Sequence, residues 1–323
     1  MKNFKVLSLD GGGIRGYLTI LILEILEKTI NEKLNEDKSI GERFDLIVGT
    51  STGGIIASGL AIGKKASEIK PLYEKLIKKI FTPISKGYLK AKYNQETLRK
   101  EIQQILKDKT FNDVKTHLCL TSVDISTSKP RFFKSPYLDK YKSRADEKLI
   151  DAVLATSAAP IYFPLVDTKY SFFLADGGLI ANNPSMIGIT EAYQKTKDLK
   201  KIKLLSIGTG EMRYMPYDVK KIKNKGGVAS WTINYSKTES FFRKKIVIPL
   251  IEVLLNSQSN LITSQARLLL QRNFLRINPI LPTSIELDET DTDTLKILKN
   301  IALEADNEKT KKAVIKLLLK DNL

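Results

Sequence analysis

Cysteine and histidine are almost missing from this chain: Cys119 and His117 are the only ones among 323 residues. One cysteine excludes an intramolecular disulfide. With a single histidine it leaves no Cys/His spacing that would hold a structural metal, so neither metal nor organic cofactor is expected. The lone histidine also constrains hydrolytic chemistry. In the α/β-hydrolase order the histidine follows both nucleophile and acid, whereas His117 lies mid-chain in the apolar run His117-Leu118-Cys119-Leu120. It reads as a core or strand-end residue, and a nucleophile in this chain needs another base.

Long apolar runs are lacking as well. The longest in the C-terminal half, Ile246 to Leu255, is interrupted by Pro249 and Glu252 and falls short of the ~20 residues of a membrane span. Met1-Lys2-Asn3-Phe4 leads into a strand-like segment with no signal-peptide apolar region. The expectation is a cytoplasmic chain with peripheral contact at a membrane; export by a route needing no signal peptide stays open. Acidic residues are outnumbered 36 to 53, giving a net charge of +17 and a pI near 9.6. Such a surface suits an anionic partner. No dense Lys/Arg block interleaved with aromatics occurs, so nucleic acid is not expected and anionic lipid is the better candidate. The competing reading is a lysine-rich solvated surface.

The order of apolar segments predicts an α/β protein. Lys5–Leu9 and Phe44–Val48 read as buried strands; the first is followed by helical spacing over Ile14–Leu34 and the second by a helix over Thr52–Ile62. Helices are also predicted at Ala66–Ile80, Glu96–Leu106, Glu147–Ser157 and Ser185–Lys195, and strands at His117–Val123, Lys129–Lys134, Tyr170–Ala175 and Ile202–Ile207. This alternation implies a mainly parallel central sheet sandwiched by helices. A catalytic domain over 5–210 and a helical C-terminal extension over 211–323, packed on the same globule, are expected. Segment 81–93, with Lys86, Lys90 and Lys92, reads as a connection or lid. Lys220–Gly227 reads as a basic loop, Phe241–Leu255 and Leu261–Leu270 as helices, and Phe274–Asn278 as a last strand. Two helices, Asp293–Leu303 and Asn307–Leu319, close the chain.

Chemistry gathers at the ends of these strands. Gly49-Thr50-Ser51-Thr52-Gly53 lies between a strand and a helix, the context of a nucleophile elbow, with Gly49 and Gly53 permitting the sharp turn. Asp176, followed by Gly177 and Gly178, ends a predicted strand and is the best candidate base. Asp10-Gly11-Gly12-Gly13-Ile14-Arg15-Gly16 offers free N–H groups of Gly11, Gly12 and Gly13 at a helix start, suited to an oxyanion hole, with Arg15 to add charge or orient the loop. Gly11, Gly13 and Gly16 also match the dinucleotide fingerprint. Asp10 would then lie beside a pyrophosphate, and Glu36 and Asp37 fall in a polar helix end rather than closing a second strand.

Taken together and in this order, the Asp10–Gly16 loop, the Gly49–Gly53 elbow with Gly54, and Asp176-Gly177-Gly178 resemble the patatin-like phospholipase family. Ala155-Thr156-Ser157-Ala158-Ala159-Pro160, Tyr162-Phe163-Pro164 and Asn182-Asn183-Pro184 support the likeness, which covers about residues 5–210. It implies a metal-free acyl hydrolase acting on phospholipid or another lipid ester. Ser51 would be the nucleophile, Asp176 the base, and Gly11–Gly13 with Arg15 the oxyanion site. Small-molecule or protein activation of the kind some bacterial members show is implied by nothing in the residues themselves. A non-lipid serine esterase or thioesterase, or a binding protein with a vestigial site, stays open.

Overall fold

The structure, a computed structural model, describes residues 3–85, 87, 89–212, 217–232, 234–235, 246–247 and 249–319. Lys86, Arg243, Lys244 and Lys245, and the start of the helix expected from Phe241, lie outside the described residues.

The elements run β1 (Phe4–Leu9), α1 (Gly16–Leu34), β2 (Leu46–Gly49), α2 (Thr52–Ala61), α3 (Ala66–Ile80), α4 (Gln95–Leu106), β3 (His117–Asp124), β4 (Lys129–Lys134), α5 (Leu149–Thr156), β5 (Leu174–Asp176), α6 (Gly178–Ala181) and α7 (Ser185–Thr196). They continue with β6 (Ile202–Ile207), β7 (Glu211–Met212), α8 (Val219–Lys225), α9 (Val228–Thr232), β8 (Asn234–Tyr235), β9 (Ile246–Val247), α10 (Pro249–Leu270), β10 (Phe274–Ile277), β11 (Ile280–Leu281), α11 (Thr292–Ala305) and α12 (Glu308–Leu319).

The central sheet has the order β10-β6-β1-β2-β3-β4, with β5 also on β3. The first five strands of that order are parallel; β4 and β5 run antiparallel to β3. Alternation along the strands divides two apolar cores. Leu7, Ile47 and Leu205 face the larger core with α1, α2 and α3, while Val6, Val48 and Leu204 face a smaller one with Ile189 of α7 and Ala266 of α10. Burial on both faces is why these strands read as continuous apolar runs.

Four expectations need correction. Strand β2 starts at Leu46, because Phe44 caps a short 3-10 turn over Ile40–Arg43. Tyr170–Ala175 shrinks to Leu174–Asp176: Thr168 and Ser171 close a turn, and Phe173 takes a left-handed backbone with φ of 53°. The basic segment after Tyr217 is a helix capped by the Asp218 side chain rather than a loop. Helix α10 is one unbroken element of 22 residues, where a polar stretch around Ser257 suggested two. The hydroxyls of Ser257, Thr263 and Ser264 bond carbonyls four residues back, so polar residues continue the helix.

The C-terminal part completes the sheet. Strand β10 pairs with β6 from Phe274↔Leu204 to Ile277↔Ile207, and α11 and α12 pack on α1. The segment read as a lid is tied down at its end. Tyr93 bonds Tyr162 through the backbone, and its hydroxyl donates to Asp288 at 2.5 Å; the Lys92 ammonium donates to the same carboxylate.

Candidate active site

Strand β2 ends in a turn that holds Ser51 in an unusual backbone conformation. Its φ is 53° and ψ −124°, strained for a residue with a Cβ and tolerated only where the surroundings over-determine it. They do so here. A Cβ on Gly53 would come within 2.4 Å of the Leu9 carbonyl oxygen, and one on Gly49 within 2.7 Å of that of Gly53. Only glycines let the elbow close against β1. The Ser51 N–H donates to Thr156 Oγ1 at 3.0 Å, and the Thr50 hydroxyl donates to the Ala181 carbonyl at 2.6 Å.

Asp176 reaches the same place from the opposite direction. On β3, Leu120 faces Gly49 at the end of β2, and Ser122, two residues on, faces Asp176. The other side of β3 is taken by β4, so β5 fills the space beyond the end of β2, about 7 Å further along the sheet. It runs back toward that end and delivers Asp176 last. Among the strands of a mainly parallel sheet, it is the antiparallel run of β5 that aims its final residue at Ser51.

The Asp176 carboxylate is buried. Burial pushes its pKa up to about 7, while hydrogen bonds from the Ser51 hydroxyl and the Gly178 N–H act in the opposite sense. The Gly178 N–H lies 2.6 Å from Oδ1. A carboxylate tuned to neutrality beside a serine hydroxyl can take and return a proton near physiological pH.

The glycine-rich loop after β1 lies on the other flank of β2. Gly12 and Gly13 line a cleft with Ser51 and Asp176. Gly11, grouped with them on sequence, donates its N–H to the Asn182 carbonyl at 2.9 Å. Arg15 is buried behind the loop, its Nε 3.4 Å from the Gly12 carbonyl; desolvation lowers its pKa, with Glu252 acting oppositely. Gly13 has a φ of +58°, and a Cβ there would lie 2.0 Å from the Leu287 carbonyl oxygen, which accepts the Ile14 N–H. Most of the remaining cleft wall is apolar, with Ile55, Leu76, Ile80 and Phe163 from the first part of the chain and Ile251 and Leu255 from α10.

His117 is remote from this cleft. It pairs with Leu46 at the beginning of β2, packs against Tyr137, and has its pKa lowered chiefly by burial. No group of three or more His, Cys, Asp or Glu able to hold a metal occurs among the described residues. Sequence reasoning missed four contributors. Thr156 and Asn182 lie in motifs already singled out, but their bonds to Ser51 and Gly11 are tertiary. Gln258, which accepts the Asn182 N–H at 2.6 Å, and Arg276, which binds Asp10, carry no local signal.

An elbow serine, a buried acid and a glycine-rich loop on one sheet edge define a serine-hydrolase-like site without histidine. The chain matches the family model described as patatin-like phospholipase over residues 7–189, and it belongs to that family. It is 42% identical over 219 residues to a cGAMP-activated phospholipase of Escherichia coli (strain TW11681), covering 64% of this chain and 62% of that protein. A cGAMP-activated phospholipase of Vibrio cholerae is 40% identical, covering 65% of each. The chain thus spans under two thirds of these relatives' lengths. Patatin-like protein 4 of Arabidopsis thaliana is 30% identical over 92% of this chain and 81% of its own. The crystal structure of VipD from Legionella pneumophila superposes with a TM-score of 0.44 at 12% identity, over 95% of this chain and 67% of that one.

Proposed function

We propose that this chain is a serine acyl hydrolase that releases fatty acids from membrane glycerophospholipids through a Ser51–Asp176 dyad and an acyl-enzyme. The carrying observation is the Ser51 hydroxyl set against a buried carboxylate whose pKa is raised to about 7. Asp176 takes the hydroxyl proton as Ser51 Oγ bonds to the ester carbonyl carbon. The N–H groups of Gly12 and Gly13 receive the oxyanion; one such donor is worth about 2.7–4 kcal/mol in other hydrolases. Collapse breaks the bond to the alcohol, which leaves with the proton from Asp176. Water then gives a proton to Asp176 and attacks the acyl carbon; as the bond to Ser51 Oγ breaks, Asp176 returns that proton to the serine, which frees the fatty acid and restores the dyad. Every proton step uses Asp176, so the scheme needs no metal or cofactor.

Cleft residues Ile55, Leu76, Ile80 and Phe163 fit an acyl chain and exclude water. Mass spectrometry of lipid products tests the proposal: free fatty acid and lysolipid from the wild type and none from Ser51→Ala are expected. Fatty-acid release by Ser51→Ala would defeat it. If soluble short-chain esters turn over and micellar phospholipid does not, the esterase reading replaces it.

The names of the Escherichia coli and Vibrio cholerae relatives support a cyclic dinucleotide as activator here too. The assay is therefore run with and without cGAMP, and a rate rising with cGAMP is expected. Peripheral contact with anionic membrane is the partner side of the proposal, supported by the charge of +17. No helix of the described residues is long and apolar enough to cross a membrane.

A further inference from the structure

Strand β6 runs into Gly208-Thr209-Gly210, and Thr209 is buried. Its hydroxyl donates to the Gly11 carbonyl at 3.1 Å. The side chain fits there only because Gly12 has none: a Cβ on Gly12 would lie 2.3 Å from Thr209 Oγ1 and 2.6 Å from Thr209 Cβ. Both neighbours of Thr209 are tied down. The Thr19 hydroxyl donates to the Gly208 carbonyl at 3.0 Å, and the Gly210 N–H donates to Asn278 Oδ1 at 2.9 Å.

The Gly11 carbonyl belongs to the peptide unit whose N–H is that of Gly12. In a planar trans peptide the two point in opposite directions, so a donor fixed on the carbonyl also fixes the N–H. Strand order gives the direction. Strand β6 pairs with one edge of β1, and β2 with the other. A carbonyl turned toward Thr209, on the β6 side, sends the Gly12 N–H toward the β2 side, where Ser51 follows β2. That N–H has no hydrogen-bond partner among the described residues, and Gly12 lines the cleft with Ser51. We infer that Thr209 is a positioning residue, whose hydroxyl holds the Gly11–Gly12 peptide so that the Gly12 N–H is aimed at the oxyanion before substrate arrives. The inference rests on the acyl-hydrolase reading above. A donor aligned in advance needs no reorganisation as charge develops, so the effect of Thr209 falls on the transition state rather than on substrate binding.

Thr209→Val removes the hydroxyl and keeps the shape, whereas Thr209→Ser keeps the hydroxyl. Both are compared with wild type on phosphatidylglycerol in mixed micelles with cGAMP present, at equal amounts of folded protein. For Thr209→Val the expected loss in kcat is about tenfold to a hundredfold, part of what removal of a whole oxyanion donor costs, with KM changed by less than about twofold. Thr209→Ser stays within about threefold of wild type. A long-chain trifluoromethyl ketone gives the second readout. Ser51 Oγ adds to its carbonyl carbon, Asp176 takes the serine proton, and the adduct oxygen carries the oxyanion charge. Its inhibition constant should therefore rise in Thr209→Val by the factor lost in kcat. If Thr209→Val does not fold, Thr209→Ala, which also lacks the hydroxyl, carries the same expectation. A hydroxyl-free variant within about threefold of the wild-type kcat, equal losses in Thr209→Val and Thr209→Ser, or a loss confined to KM overturns the assignment. A wild type that neither releases fatty acid nor takes a fluorophosphonate label at Ser51 defeats the acyl-hydrolase reading itself, and the positioning role falls with it.

Discussion

Arg276 holds both carboxylate oxygens of Asp10, at 2.8 and 2.5 Å, and joins residues 266 positions apart. Both side chains are buried, 8% and 3% exposed. The same guanidinium reaches Ser206 Oγ at 2.7 Å, so three neighbouring strand ends are tied at the base of the glycine-rich loop. Burial pushes the Asp10 pKa up, and the Arg276 charge and hydrogen bond pull it back. The far end of the chain thus fixes the first residue of the loop proposed to hold the oxyanion.

Removing one member of a buried ion pair leaves an uncompensated charge, at a cost of about 3–5 kcal/mol. Arg276→Leu is expected to lower the urea midpoint sharply. Adding Asp10→Asn should restore much of the loss, since the stranded charge is gone. A single variant that unfolds with the wild type would show that the pair does not anchor the loop.

Asp176 makes activity and stability move in opposite directions with pH. As the proposed base it must be ionised, so kcat/KM should rise through about pH 7 and level off above it. Its folded pKa lies above the ordinary value of 3.8, so the folded state binds the proton more tightly. That contribution is complete below about pH 4 and is lost as pH rises through about 7. Asp176→Asn should lack hydrolysis at every pH and melt above wild type by a margin that widens from pH 5 to pH 8. A constant margin would place the titration elsewhere.

His117 lies at the opposite end of β3 from the residue facing Asp176. His117→Ala is expected to retain most specific activity in the folded fraction, with EDTA leaving the rate unchanged. Activity lost to either treatment in folded protein would point to a different mechanism.

Binding to phosphatidylglycerol vesicles should exceed binding to phosphatidylcholine and weaken from low to high salt. Near an anionic surface each basic residue contributes up to about 1 kcal/mol, and salt shortens the reach of that attraction. Co-sedimentation measures it. Equal, salt-insensitive binding to both lipids would mean that the +17 charge only solvates the surface.

Much of this arrangement is legible in the residues. Strands buried on both faces show as unbroken apolar runs such as Leu46-Ile47-Val48, and helices α1, α3 and α4 show as 3.6-residue spacing. The elbow and the Asp-Gly-Gly turn are local, because a tight bend requires glycine where a Cβ would strike backbone. Short or irregular elements were less visible. The three residues of β5 are too few for a periodic signal, and the polar middle of α10 hides a helix whose Gln258 and Ser259 reach Asn182 and Asp10.

By itself the sequence determined the sheet-and-helix alternation, the glycine elbow around Ser51 and the Asp-Gly-Gly turn at Asp176, since all three follow from local composition and spacing. Tertiary structure decided the rest. The overhang of β3 beyond β2 lets an antiparallel strand bring Asp176 to Ser51, and its burial there raises the carboxyl pKa. The edge strand β10 carries Arg276 to Asp10. Strand register, desolvation and pairing between distant segments arise only once the chain has closed on itself, so no local stretch of residues encodes them.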